Sequence, residues 1–262
     1  ARPMIPQNHP LDSRKSPKTK GNNAMCNICL ATGVSHGLSR RLFVGASAGM
    51  LAAAPLMGTA QAQPAREADT PDAALKLLVE GNARYVSGKL NERDFSATRA
   101  ARTQGQKPFA AILSCADSRV APELAFDRGP GELFVVRVAG NFVSPDGLGS
   151  LEFGAAVLGT KVIMVLGHTS CGAINATVEA LQKGNQLPGA IAGLVTALKP
   201  GIEPVMKTPG TDLAQRAVVA NVRYNVQRLM AAKPILADMV AAGKLRVVGG
   251  VYNLTTGKVE MV

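Results

Sequence analysis

Short, uniformly apolar segments that alternate with helical segments constrain the fold of this chain most strongly. Four apolar runs have the length of a strand and lie at 109–114, 132–138, 161–166 and 245–252. Helical periodicity follows at 150–158, 175–184 and 212–229. Strands without a polar side are buried on both faces, as in a parallel sheet covered by helices. The pattern therefore predicts an α/β fold with a largely parallel central sheet flanked by helices.

An N-terminal helical arm and a closing strand complete the predicted domain. Apolar residues at helical spacing begin behind Thr70-Pro71-Asp72, a sequence typical of a helix start, and a polar helical segment covers 99–105. The last segment, 258–262, follows a turn and is predicted to be a short antiparallel strand. Because nothing in the length requires a second domain, we expect a single domain over 63–262.

Residues 1–62 are predicted to be a leader and not part of this fold. Arg40 and Arg41 precede an apolar stretch rich in Ala and Gly, which ends in the small-x-small sequence Ala60-Gln61-Ala62. This order is typical of a secretory signal, and the paired arginines resemble a twin-arginine signal that exports a folded protein to the periplasm. A membrane anchor is the alternative, but Pro55 interrupts the stretch. We expect a cleaved signal and no stable membrane insertion afterwards.

The net charge of +11 does not indicate a nucleic-acid-binding protein, because much of it lies in the leader. Residues 1–62 carry seven Lys and Arg against one Asp, whereas the rest of the chain is only mildly basic. Aromatic residues make up 4% and Trp is absent, so side chains on which bases could stack are scarce. We therefore expect no nucleic-acid partner.

Three potential metal ligands stand at the ends of two predicted strands. Cys115 follows the first strand, and His168 and Cys171 follow the third as a His-x-x-Cys sequence. Because ligands gather outside the carboxyl ends of parallel strands, we expect the three side chains to converge at that edge of the sheet. Thiolate and imidazole groups are typical zinc ligands, and three protein ligands leave open the fourth position that a catalytic zinc needs. The sequence therefore predicts one Zn²⁺ per chain.

Asp117 and Arg119 lie close enough to Cys115 in the sequence to act at the same site. Paired with Arg119, the Asp117 carboxylate would accept a hydrogen bond from water at the metal. Asp117 could instead bind the metal itself and close the site. Residues 63–262 contain no other Cys or His, so a closed structural zinc would need Asp117 as its fourth ligand. The further alternative is that both cysteines are small hydrophobic core residues.

At these residues the chain resembles the β-class carbonic anhydrases. The similarity rests on Cys115-Ala116-Asp117-Ser118-Arg119, followed by His168-Thr169-Ser170-Cys171-Gly172, and it extends from Ala73 to the end. It implies reversible hydration of carbon dioxide to bicarbonate by hydroxide on the zinc, with Asp117 and Arg119 as the catalytic pair. It also implies a homodimer or larger homo-oligomer with each active site at a subunit interface.

The resemblance also assigns residues that bind the substrate. Gln106 matches a glutamine that donates a hydrogen bond to bicarbonate, and Gly172 belongs to the second motif. Phe134 and Phe153 match positions that line the carbon dioxide pocket, partly across the dimer, although ordinary core packing is the alternative for both. Because the predicted domain holds no second His, we expect the proton to leave through water, buffer, a carboxylate or a tyrosine.

Two other functions fit the same residues. The first is hydrolysis of carbonyl sulfide or carbon disulfide, which resemble carbon dioxide and need the same nucleophile. The second is a non-catalytic zinc-binding or redox-sensing protein that uses Cys115 and Cys171 as an oxidisable pair. The Asp117–Arg119 pair and Gln106 favour the enzyme, because a structural site uses neither.

Overall fold

The computed structural model describes residues 68–97 and 99–262, which form five strands and eight helices. The strands are β1 (Ala110–Ser114), β2 (Leu133–Arg137), β3 (Val162–His168), β4 (Arg246–Tyr252) and β5 (Val259–Met261). The helices are α1 (Pro71–Val86), α2 (Arg99–Arg102), α3 (Pro122–Ala125), α4 (Pro145–Ala156), α5 (Gly172–Lys183), α6 (Ile191–Met206), α7 (Leu213–Met230) and α8 (Ile235–Ala241). The predicted leader lies outside the described residues, and the domain boundary at residue 63 stays a prediction.

The five strands form one sheet in the order β2-β1-β3-β4-β5. The first four are parallel, and β5 is antiparallel to β4, so the predicted sheet type and closing strand are confirmed. One strand end differs from the prediction: β3 continues to His168, which pairs with Tyr252 of β4. His168 is therefore the last residue of the strand, whereas the predicted strand ended at residue 166, and sheet pairing fixes its backbone.

Both faces of the sheet are covered, which explains why β1 and β3 have no polar side. Ala111 and Leu113 of β1 belong to a core with α4, α5, α6, α7 and α8. Ala110 and Ile112, whose side chains point the other way, belong to a second core with α1 and α3. Every residue of β1 and β3 is buried. A strand in that position gains from apolar residues at each position, and this produces the continuous runs in the sequence.

Side-chain caps fix where the helices begin. Thr70 Oγ1 accepts a hydrogen bond from the backbone N–H of Ala73, so the predicted start of α1 is confirmed. The helix predicted over 150–158 begins earlier, at Pro145, because Ser144 Oγ accepts from the N–H of Gly147. Capping by Ser and proline in the first turn stabilise this start, although the glycines of the first turns weaken the helical pattern in the sequence.

Helix α6 is absent from the sequence-based prediction, because it contains two prolines. Pro200 and Pro204 each remove a backbone donor from the helix interior, which normally breaks a helix. Leu198 and Ile202 are fully buried in the core on the helix side of the sheet, so tertiary packing outweighs this local cost. None of the helices in the described ranges is long and apolar enough to cross a membrane.

Candidate metal centre and active site

The carboxyl ends of β1 and β3 bring the three predicted metal ligands together. Cys115 directly follows β1, His168 ends β3, and Cys171 caps the N-terminus of α5. All three residues are buried, and their potential ligand atoms lie within 4.8 Å of one another. The two Sγ atoms are 3.9 Å apart and both thiols are free. The predicted convergence at one edge of the sheet is therefore confirmed.

The turn between His168 and Cys171 is held by the neighbouring strand β4. The N–H of Thr169 donates to the carbonyl of Tyr252, and Thr169 Oγ1 accepts from the N–H of Leu254. Ser170 has a φ of 55°, a left-handed conformation that lets the chain reverse within one residue. Cys171 then lies at a helix N-terminus, where the helix dipole favours a thiolate.

The unpaired nitrogen of His168 shows that a metal ion fits this site. Nδ1 lies 2.9 Å from the carbonyl oxygen of Thr169 and donates to it, which leaves the lone pair on Nε2. Nε2 is buried and has no hydrogen-bond partner among the described residues. A buried polar atom without a partner is costly, and a metal ion between the imidazole and two thiols would satisfy it. One nitrogen and two sulfur atoms suit Zn²⁺.

The two thiols do not ionise independently. A hydrogen bond from the Cys171 thiol lowers the pKa of Cys115 to about 4, because it stabilises the thiolate. The same shared hydrogen bond raises the pKa of Cys171, since a second thiolate at this distance would face the charge of the first. A divalent cation removes that repulsion, and binding then releases the remaining proton.

Asp117 and Arg119 form a two-point ion pair beside the ligands. Arg119 Nε lies 2.9 Å from Asp117 Oδ1, and Nη2 lies 2.7 Å from Oδ2. The Arg119 guanidinium holds the pKa of the Asp117 carboxyl well below its usual range. Asp117 Oδ2 lies 3.8 Å from His168 Nε2. The carboxylate is therefore ionised, fixed in direction and next to the position that a metal would occupy.

Arg137 holds the loop after β1, and the sequence analysis did not assign it this role. Its guanidinium donates to the backbone carbonyls of Cys115, Asp117 and Val120 at 2.7 to 2.9 Å. A single side chain thus supports the backbone of one ligand and of the acidic residue. The feature that could have predicted this role is the strand register, because Arg137 pairs with Ser114, the residue before the first ligand.

Three of the four predicted pocket residues lie away from the metal ligands. Gln106 is exposed in the segment that precedes β1, at the opposite end of this strand from Cys115. Phe134 pairs with Ala111, four residues before Cys115, which corresponds to about 13 Å along a strand. Phe153 of α4 contacts Phe134, with ring centroids 6.4 Å apart, and is 46% exposed.

Gly172, the fourth predicted pocket residue, is the first residue of α5 and is exposed. Apart from its chain neighbours and the backbone of its own helix, a Cβ atom at this position would meet nothing within 4 Å, so the space beside Gly172 is open. One chain therefore unites Cys115, His168 and Cys171 with Asp117 and Arg119, but not with Gln106 or the two phenylalanines.

Comparison with known proteins agrees with this geometry. The family model described as carbonic anhydrase matches residues 110–259. A carbonic anhydrase of Mycolicibacterium smegmatis is 40% identical over 192 residues, which cover 73% of this chain and 93% of the relative. Carbonic anhydrase 2 of Mycobacterium tuberculosis is 39% identical over 189 residues, which cover 72% of this chain and 91% of the relative.

Solved structures extend the likeness to the β class. The β-carbonic anhydrase of Coccomyxa in complex with acetazolamide is 31% identical, with a TM-score of 0.57 over 64% of this chain and 77% of that chain. The β-carbonic anhydrase CcaA is 26% identical, with a TM-score of 0.58 over 71% of this chain and 94% of that chain. Sequence, fold and ligand set thus agree, and the chain belongs to the carbonic anhydrase family, in its β class.

Proposed function

We propose that this protein catalyses the reversible hydration of carbon dioxide to bicarbonate and a proton, with one Zn²⁺ held by Cys115, His168 and Cys171. The observation that carries the proposal is the buried Nε2 of His168, which has no hydrogen-bond partner in the part of the chain that the structure describes and lies within 4.8 Å of two thiols. The nearby Asp117 carboxylate is occupied by Arg119 and leaves the fourth metal position free. Three ligands and an open position are typical of a catalytic zinc.

Asp117 directs the attacking water in this proposal. Bound zinc supplies a Lewis acid that makes water nucleophilic near neutral pH. The Asp117 carboxylate is ionised, so it can only accept hydrogen bonds. A water that donates to it would have that O–H directed away from the substrate. The Arg119 guanidinium donates to both carboxylate oxygens at 2.7 to 2.9 Å, and the backbone N–H of Arg119 donates a third hydrogen bond at 3.0 Å. A water held in this direction would keep a lone pair free to attack carbon dioxide.

We expect proton release to use water, buffer, a carboxylate or a tyrosine and not a histidine. His168 is the only histidine of residues 63–262, and its Nδ1 is occupied by the carbonyl of Thr169. With Nε2 on the metal, the imidazole has no site left to carry a proton. We therefore expect the turnover number at low buffer concentration to rise as buffer is added. A turnover number that does not depend on buffer concentration would contradict this route.

The proposal includes a homodimer in which each copy completes the pocket of the other. Gln106 and Phe134 lie away from the carboxyl end of β1 in their own chain, and Phe153 exposes almost half of its side chain. An exposed phenylalanine on a helix that packs against the edge strand β2 is typical of a contact surface. Sedimentation of the full chain should show a dimer or larger assembly. Phe153→Arg should lower the mass of the assembly and the hydration rate, while one zinc per chain remains bound. A wild-type chain that is monomeric and fully active would refute the shared pocket.

Export to the periplasm is the proposed localisation. Its support is the sequence of the leader alone, with Arg40 and Arg41 ahead of the apolar stretch. In cell fractionation, the wild-type chain should appear in the periplasm, and a variant with Lys at both positions should stay in the cytoplasm. Equal periplasmic amounts of both chains would show that a twin-arginine route is not used.

Rival substrates test the proposed chemistry most sharply. Neither the sulfur-substrate hydrolase nor the redox-sensing protein is favoured, because the family model and the relatives are named carbonic anhydrase. Zinc-loaded full chain should hydrate carbon dioxide far faster than it releases hydrogen sulfide from carbonyl sulfide or carbon disulfide. A faster release of hydrogen sulfide would assign the site to the sulfur substrates. Absence of both reactions, with one zinc bound, would leave only a structural site.

A further inference from the structure

Helix α7 carries three polar side chains along one face, of which the two asparagines are buried and the arginine is exposed. Asn221, Asn225 and Arg228, here called the α7 ladder, are spaced by four and three residues and therefore share one face of the helix. The two asparagines are each 1% exposed and lie within an otherwise apolar core. Burying a carboxamide costs free energy unless its hydrogen bonds are satisfied, so the partners of these groups show what the ladder does.

The α7 ladder holds the loop between β2 and α4, residues 138–144. Asn221 Nδ2 donates to the carbonyl of Gly140 at 2.9 Å. Asn225 Oδ1 accepts from the N–H of Val143 at 2.9 Å, and Arg228 donates to the carbonyl of Val143 at 2.8 Å. Three side chains of one helix thus fix backbone groups at two points of one short loop.

The direction of the Asn221 carboxamide is itself fixed. Asn225 Nδ2 donates to Asn221 Oδ1 at 3.0 Å and to the Asn221 carbonyl at 2.8 Å. Because the oxygen of Asn221 accepts this bond, its nitrogen must face Gly140. The two asparagines form a connected network with one arrangement, and such a network is rigid when every member is satisfied.

Gly140 connects this network to a metal ligand. Its N–H donates to Cys115 Sγ at 3.3 Å, while its carbonyl is held by Asn221. Its φ is 84°, and a Cβ atom here would lie 2.8 Å from a methyl carbon of Leu198. Only glycine fits both the conformation and the space. A shift of the Gly140 carbonyl would therefore move the N–H that reaches the sulfur.

We propose that the α7 ladder, through Asn221, positions the Gly140 N–H on Cys115 Sγ and so tunes how this sulfur binds the metal. An N–H···S hydrogen bond withdraws electron density from a thiolate and directs its lone pairs, and outer partners of this kind control metal affinity. Asn221 does not touch a ligand, so it is a positioning residue and not a catalytic one. The inference rests on the zinc site proposed above.

The test uses the full chain substituted with Co²⁺, whose thiolate-to-metal charge-transfer band reports on the sulfur ligands. Asn221→Asp keeps the shape and the acceptor for Asn225 but removes the donor to Gly140, and Asn221→Ala removes both. Asn82 is the matched control, because it is also a buried asparagine with three hydrogen bonds, donating to Ala125 and Gly257 at 2.9 Å and accepting from Val259 at 2.8 Å. It packs with the core on the opposite face of the sheet from the ladder.

Both Asn221 variants should move the charge-transfer band to lower energy, since a thiolate without its hydrogen bond is a better electron donor. Their zinc dissociation constants, measured against a competing chelator, should rise by roughly 10-fold to 100-fold, because the sulfur lone pair is no longer directed at the metal and this loss of orientation outweighs the stronger donation. Asn82→Asp and Asn82→Ala should lower thermal stability to a similar extent and leave band and zinc affinity at wild-type values. If the Asn221 variants do not fold, Asn225→Ala, which frees the Asn221 carboxamide, should give a smaller shift in the same direction.

Two results would overturn the positioning role. The first is that the Asn221 variants are destabilised but keep the wild-type band and the wild-type zinc affinity. If the Asn221 variants do not fold, the same result in Asn225→Ala would count equally. The second is an equal band shift in the Asn82 variants, which would show that the metal site responds to any loss of stability. A wild-type chain that binds neither Co²⁺ nor Zn²⁺ at this site would instead refute the proposed function, so the two failures are distinguishable.

Discussion

A buried carboxylate far from the metal ligands gives the sharpest prediction about stability. The side chain of Asp127 is 1% exposed and binds two arginines, with Arg84 Nε at 2.6 Å and Arg93 Nη1 at 2.5 Å. It also accepts from the N–H of Asn91 at 3.3 Å. Asp127 thereby ties helix α1 and the segment after it to the loop that follows α3.

Asp127→Asn keeps the shape of this side chain but removes its charge and turns one acceptor into a donor facing an arginine. Breaking a buried ion pair from one side costs about 3–5 kcal/mol. The side chains of Arg84 and Arg93 are 29% and 22% exposed, so water compensates them in part. We therefore expect a loss near the lower limit, about 3 kcal/mol at neutral pH. For a domain of this size the melting temperature falls by about 6–12 °C.

The difference between wild type and variant should depend on pH in a defined direction. Burial alone would raise the pKa of Asp127, but the hydrogen bonds from Arg84 and Arg93 outweigh it and hold the pKa below its ordinary value. A carboxyl group whose pKa is lowered by folding stabilises the protein above its unfolded pKa and loses that contribution as the pH falls through the folded value. The difference should stay constant from pH 7 to about pH 5 and shrink below about pH 4.

Urea unfolding followed by circular dichroism measures this difference, since the chain has no tryptophan. Loss of the metal at low pH affects wild type and variant alike and cancels in the comparison. Asp72→Asn is the control, because Asp72 pairs with Arg246 on the surface with side chains that are 86% and 51% exposed. This variant should match wild type. A loss below about 0.5 kcal/mol for Asp127→Asn, within the range of ordinary surface substitutions, or a difference that persists unchanged to pH 3, would refute the reasoning.

Three further substitutions test the packing of α1 and the role of Arg119. Gly81→Ala should destabilise the fold by about 1–3 kcal/mol in urea unfolding, because the added Cβ would collide with the carbonyl of Phe126. Gly193→Ala is the control, since its Cβ would have free space, and it should stabilise the fold by about 0.5–1 kcal/mol. Equal effects of the two substitutions on stability would contradict this packing. Arg119→Ala releases Asp117 towards the metal and should lower kcat/KM for carbon dioxide by roughly 10-fold to 100-fold. An unchanged spectrum of the Co²⁺-substituted Arg119→Ala variant would show that Asp117 does not close the site.

The sheet and the metal ligands could be predicted from the sequence, because local patterns determine them. The strands β1 and β3 are buried at every position and largely apolar, and Cys115 and His168 stand where these runs end. Parallel strands bring such positions to one edge, and the type of side chain then limits the metal. This part of the site required no knowledge of long-range contacts.

Contacts between distant segments could not be predicted in the same way. Helix α6 forms despite Pro200 and Pro204, because its buried leucine and isoleucine side chains are stabilised by the rest of the core. Arg137 acts through strand register, and Asn221 acts through a loop 81 residues away in sequence. In the sequence, each of them is only a polar residue at a position where the strand or helix pattern predicts burial. Such a residue does not indicate which distant group it binds.

The central claim is tested most directly by the rate of carbon dioxide hydration. Stopped-flow measurements on the zinc-loaded full chain would cover about pH 6.5 to about pH 9, which brackets the pKa of about 7 that zinc gives to water. The proposed site predicts a rate that rises with pH and is lost in Cys115→Ser. No hydration at any pH by a chain that holds one zinc would contradict it.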